Sequence, residues 1–177
     1  EPDGERFSDA TRTSDGKVIF APAGSRSIGI FNPSDLSFAS IDLLRYFPDQ
    51  RGYKFSSVIQ AASGVVYFGP MYSDGVGVLN YTVPPPMPPQ TLISVALPSS
   101  LSRAQTKFID GTLVPSGKIV FTPYDQPLVG VFDPDDDSFR TVDLTGKGWD
   151  NYFFGCAGVD GKVYFVPRDS PTIGIFN

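Results

Sequence analysis

The 177-residue chain carries a net charge of −5, a pI near 4.6, a single cysteine and no histidine. The commonest metal ligand and general base is therefore missing. One cysteine also rules out an intramolecular disulfide and any multi-cysteine zinc site. Without a Lys/Arg cluster there is no surface to track phosphates, so nucleic acid is excluded as a partner class. No apolar run approaches the eighteen or so residues needed to span a bilayer, which leaves peripheral association as the membrane contact still open.

The elements follow one pattern from the start of the chain. Phe7 opens a segment that ends at a turn glycine, Gly16; Lys17–Pro22 then reads as a strand. A second strand, Ile28–Phe31, has a glycine at its centre, which suits close approach of a neighbouring backbone. Asn32-Pro33-Ser34-Asp35 is a tight turn, with Pro and Asp where turns favour them. The alternating stretch Ser37–Leu43 is a third strand beyond it.

The same order recurs at fixed offsets. The four copies anchor at Phe7-Gly16-Pro22-Gly29-Asn32, Phe55-Gly64-Pro70-Gly77-Asn80, Phe108-Gly117-Pro123-Gly130-Asp133 and Tyr152-Gly161-Pro167-Gly174-Asn177. Ser56–Ala61 and Ile109–Val114 are the first strands of their copies, and Thr91–Leu97 and Ser138–Leu144 match the alternating strand. Within each second strand Phe20, Phe68, Phe121 and Phe165 form one column. Ile19, Tyr67, Val120 and Tyr164 form the column on the opposite face, because strand side chains alternate. Sheets apolar on both faces need neighbours on both sides.

Units of about 45 residues cannot each bury a core alone. Four antiparallel strands per unit, repeated radially, describe a small all-β propeller of about four blades, the last lacking its outer strand. The expectation is a single domain over residues 1–177, with blades at 6–53, 54–106, 107–151 and 152–177. A closed four-bladed ring is favoured over part of a larger propeller. The chain opens at Glu1 without Met, so a targeting segment removed upstream is consistent with it.

The phrase Asp160-Gly161-Lys162-Val163-Tyr164-Phe165-Val166-Pro167, the phrase Ile28-Gly29-Ile30-Phe31-Asn32-Pro33 and the Phe-x-x-x-Asp-Leu ending resemble the repeats of streptogramin-lyase-like and NHL-type propellers. They are also similar to repeats in uncharacterised propeller proteins of algae and protists. The resemblance implies the propeller fold over nearly the whole chain. Lyase members of that group rely on histidine, so no catalytic residue carries over to this sequence, and the chain is expected not to be an enzyme. No cofactor is expected.

Several residues are candidates for binding. Asp9, Ser57 and Asp110 occupy equivalent positions on the inner strands, with Arg12 and Gln60 three residues further on; Phe154 breaks the set in the fourth copy. They either ring a channel mouth and bind a cation or polar ligand, or simply solvate the channel and pair locally. The acidic run Asp133–Asp137 invites calcium but lacks the glycine and distant glutamate of an EF-hand loop, so it reads as a solvated turn. Cys156, among Gly155, Ala157 and Gly158, reads as a buried small hydrophobe.

Two features suit a macromolecular partner. Val83–Pro89, including Pro85, Pro86, Met87 and Pro88, is an insertion in the second copy that favours a polyproline arm, cheap in entropy to dock; a stiff surface loop fits it as well. The connections between copies bring Tyr46, Phe47, Arg51, Tyr53, Trp149 and Tyr152 to one end, and such residues anchor interfaces or plug gaps between blades. The reading is a non-enzymatic scaffold that binds a protein partner as an accessory subunit of a larger assembly. The acidic composition suits an organelle lumen, beside a photosynthetic membrane complex for instance, or a secreted or periplasm-like setting, ahead of the cytoplasm. The alternative is a propeller enzyme, or a carbohydrate- or cation-binding module working at the channel mouth.

Overall fold

A computed structural model describes residues 6–44, 46, 53–80, 92–101, 106–145 and 152–177. Among them are fifteen strands and no helix. The chain divides into two compact units, Glu1–Val95 and Ala96–Asn177.

The first unit holds two blades. Strands β1 (Phe7–Arg12), β2 (Val18–Pro22), β3 (Ser27–Asn32) and β4 (Ser37–Asp42) form an antiparallel sheet in chain order. Strands β5 (Phe55–Gln60), β6 (Val66–Pro70), β7 (Gly75–Leu79) and β8 (Leu92–Ala96) repeat it. In the second unit β9 (Phe108–Leu113), β10 (Ile119–Pro123), β11 (Leu128–Asp133) and β12 (Ser138–Asp143) make the third blade. The fourth blade has three strands, β13 (Tyr152–Ala157), β14 (Val163–Pro167) and β15 (Gly174–Phe176). Four sheets of this kind make the chain an all-β propeller repeat protein, and among the described residues its last blade has no outer strand, as its sequence predicts.

The fixed offsets of the repeat have mechanical causes. Between the first two strands of each blade the glycine sits in the left-handed region, at φ 86° for Gly16 and Gly64, 85° for Gly117 and 79° for Gly161. There the backbone turns back on itself: the Gly16 N–H donates to the Thr13 carbonyl at 2.9 Å, and the Thr13 N–H donates to the Lys17 carbonyl at 2.8 Å. A three-to-five-residue hairpin of this type needs a positive φ at that position, which glycine adopts without a Cβ penalty.

The second glycine answers to the aromatic anchor. A Cβ on Gly130 would lie 2.8 Å from the Phe108 ring and 2.8 Å from the Phe139 ring; on Gly174 it would lie 2.8 Å from the Tyr152 ring. Gly29 faces Phe7 and Phe38 in the same way, and Gly77 faces Phe55. The sequence suggests close approach of a backbone at this glycine. The structure instead lays an aromatic ring across it, so two of the repeat's landmarks are two sides of one contact.

The outer turns use side chains of their own. Asn32 Oδ1 accepts from the Ser34 N–H at 3.2 Å, and Asp133 Oδ1 accepts from the Asp135 N–H at 3.2 Å. The turn closes with a residue in left-handed conformation, Leu36 at φ 59° and Asp137 at φ 56°. The acidic run is therefore a turn whose carboxylates serve the backbone and Lys118.

Each unit has a core where one blade lies on the next. In the first, Ile19, Ala21 and Ile28 of the first blade pack with Phe55, Val66, Phe68 and Leu79 of the second. In the second, Val120, Val129 and Val131 of the third blade pack with Tyr152, Val163 and Phe165 of the fourth. The pattern is directional: the Ile19–Val120 column faces forward along the chain, and the aromatic column faces back. At roughly 25 cal/mol per Å² of apolar area removed from water, such a face-to-face layer is the main favourable term available to these sheets.

Candidate functional site

The inner-strand candidates are engaged between blades. Asp9 Oδ2 accepts from the Val58 N–H on β5 at 2.8 Å, and Asp110 Oδ2 accepts from the Gly155 N–H on β13 at 3.0 Å. In both units a carboxylate on one blade's first strand thus clasps a backbone donor on the next blade's first strand. Gln60 works at the far end of the same strands: its Oε1 accepts from the Ser14 N–H at 2.7 Å, and its Nε2 donates to the Gly64 carbonyl at 3.0 Å. Ser8 adds a link from its hydroxyl to the Phe55 carbonyl at 3.0 Å. Arg12 is exposed at the end of β1, and Ser57 is buried.

Burial pushes the Asp9 carboxyl above its ordinary value, against the N–H groups of Val58 and Ala10, which pull it down. The turn aspartates behave oppositely. The Lys118 ammonium, hydrogen-bonded to Asp133, holds that carboxyl below the usual carboxylate range. Among the described residues no three His, Cys, Asp or Glu side chains are grouped to hold a metal ion.

Cys156 departs from its expected burial. It is exposed, because β13 turns it, with Phe154, toward the forward side of the fourth blade.

Strand direction puts the loop after each second strand at the same end of its blade as the start of the first strand. The partner-binding candidates fall there unevenly. Tyr46 is half-buried against the first unit's core, and Tyr53 is also half-buried. Tyr152 is 7 % exposed and belongs to the second unit's core, so it fills the blade interface instead of facing a partner. Phe47, Arg51, Trp149 and the arm with Pro85, Pro86, Met87 and Pro88 lie outside the described residues.

The same end carries a cluster that the sequence alone does not single out. Arg168 follows Pro167 at the end of β14, and Tyr124 follows Pro123 at the end of β10, so equivalent positions on neighbouring blades meet. The Arg168 guanidinium lies over the Tyr124 ring, 5.0 Å from its centroid, and 5.4 Å from the centroid of Phe153. It also donates to the Tyr124 hydroxyl, and its Nε is 3.5 Å from Asp169. Phe153 stacks on Phe154 at 5.9 Å and remains 41 % exposed. A guanidinium held between two rings is pre-ordered, so docking against it costs little further side-chain entropy.

No protein-family model matches the chain, and no curated protein matches it. Solved structures do. Virginiamycin B lyase from Staphylococcus aureus superposes at TM-score 0.75 with 20 % identity, over 98 % of this chain and 53 % of the lyase. The extracellular domain of BT3049 from B. thetaiotaomicron gives TM-score 0.66 and 12 % identity, over 97 % of this chain and 22 % of that one. The Cps50 (Swd1) β-propeller domain of Myceliophteria thermophila gives TM-score 0.65 and 10 % identity, over 96 % and 52 %. The chain thus spans about half the length of the lyase structures it matches.

The expectation that this is not an enzyme is overturned as a reading of the fold. The structures it resembles include an enzyme, and missing histidines in one sequence do not separate it from their architecture. At this identity the likeness carries the fold alone. The chain is a β-propeller repeat protein.

Proposed function

We propose that this chain binds another macromolecule through the loop end of its blades, as an accessory part of a larger assembly. The observation that carries the reading is the half-exposed Arg168–Tyr124–Phe153 cluster, made of the residue types that dominate interface energetics. The polyproline stretch 84–89 and Trp149 belong to the same reading as further contact points. Extracellular domains among the similar structures lend weight to a station outside the cytoplasm, secreted or in an organelle lumen.

Sizing of native extracts from cells producing the tagged chain tests this. The chain is expected to elute well above the purified protein, and the double variant Tyr124→Ala/Arg168→Ala is expected to lose most of that difference. Elution at the size of the purified protein, or no response to the double variant, removes the reading.

A catalytic role is the second reading, favoured by the likeness to lyase structures, one of them with quinupristin. It requires the purified chain to consume quinupristin, followed by mass spectrometry as loss of the intact compound.

A further inference from the structure

The forward face of the fourth blade is built like the forward faces of the first and third blades but is uncovered. Val166, Ile173 and Ile175 are 49 %, 65 % and 63 % exposed, and Phe154 beside them is 58 % exposed. Their counterparts in the third blade are Thr122, Val129 and Val131, at 0 %, 0 % and 4 %. In the first blade the matching Ala21 and Ile28 are both 0 % exposed.

The backward face of the first blade is its complement. Phe7, Phe20 and Phe38 form an aromatic cluster with centroids 5.5 to 6.4 Å apart. The counterparts of Phe7 and Phe20 are Phe55 and Phe68 in the second blade and Tyr152 and Phe165 in the fourth, all packed on the blade before them. On the first blade Phe7 and Phe20 are only half-buried, and Phe38 is 57 % exposed.

We propose that a second copy of this chain covers the fourth blade, seating the aromatic face of its own first blade there. The fit is that of the two blade interfaces already present: branched aliphatics on the forward side against an aromatic column on the backward side. Bare apolar sheet faces of this extent mark association sites on soluble proteins. The contact is head-to-tail, so each copy uses one face to give and the other to receive.

The purified chain at about 100 μM, a concentration that populates contacts of micromolar affinity, is examined by light scattering coupled to gel filtration. The mass of two copies or more is expected. Ile175→Asp and Phe38→Asp, each at an exposed position, are each expected to reduce it to one copy. An equal mixture of the two variants is expected to recover a two-copy species, since one retains the aromatic face and the other the aliphatic face. Recovery on mixing also shows that both variants are folded. A single-copy mass for the unsubstituted chain, or an assembly that either variant leaves unchanged, overturns the proposal.

Discussion

The third and fourth blades carry the same residue types at the same offsets and meet different fates. Val131 on β11 is 4 % exposed, whereas Ile175 at its equivalent on β15 is 63 % exposed. The third blade has an outer strand, β12, and a neighbour on its forward face; the fourth has neither among the described residues. The repeat thus specifies faces that are apolar whether or not a partner is there. Burial is a property of the stack, not of the blade, as in other repeat architectures where each unit leans on its neighbours.

The largest test of that contrast is a pair of truncations in the fourth blade. Phe165 faces back into the interface with the third blade and is 3 % exposed. Phe165→Ala is expected to cost about 3–5 kcal/mol, the range for emptying an aromatic site in a packed core. Ile175→Ala, on the uncovered side of the same sheet, is expected to stay within about 0.5 kcal/mol when measured on the single-copy protein. Urea unfolding of both variants at low concentration gives the comparison. Equal costs would mean that the forward face is buried after all.

The glycines sharpen it further. Gly130 is enclosed by two rings, Phe108 and Phe139, the second supplied by β12. The atoms nearest a Cβ on Gly174 all belong to Tyr152, and among the described residues no outer strand lies beside β15. Gly130→Ala is therefore expected to cost about 1–3 kcal/mol through overpacking, and Gly174→Ala measurably less, since an edge strand can shift away from the ring. A thermal melt of each variant decides the order.

These contrasts also explain what was legible in the sequence. Strand positions, the turn glycines and the aromatic columns are set by contacts within a blade, at short range, so they recur as fixed offsets. The blade clasp is different. The acceptors are side chains, Asp9 and Asp110, but the donors are backbone N–H groups of Val58 and Gly155, which leave no mark on residue identity. Equivalent aspartates on first strands therefore look like channel ligands. Arg168 and Tyr124 were equally hidden: 44 positions apart, they share only the feature of following the blade proline. Tyr152 misled in the other direction, since an aromatic next to a connection reads as an anchor until its strand is placed and its ring covers Gly174.

The smallest expected effect lies in the clasp, which the first blade has and the fourth lacks, Phe154 standing where Asp9 stands. Because burial raises the Asp9 carboxyl above its ordinary value of 3.8, folding disfavours its ionised form. A raised acid gives stability that is fully present below its unfolded pKa and lost as pH climbs through the higher folded value. The turn carboxylates Asp35, Asp133 and Asp160 are lowered and give slopes of the opposite sign, so the whole-protein profile masks Asp9. The difference between Asp9→Asn and the unsubstituted chain isolates it. The asparagine keeps one acceptor oxygen, for the Val58 N–H, and gives up the second, which takes the Ala10 N–H; that loss is the same at every pH, so the change of the difference with pH reports the ionisation. Measured by urea unfolding at steps upward from about pH 3.5, the variant's stability relative to the parent should rise through the mildly acidic range and then level off. A difference that stays flat across that range would mean that the carboxylate is not desolvated by the second blade, and the clasp would reduce to a hydrogen bond at a wet surface.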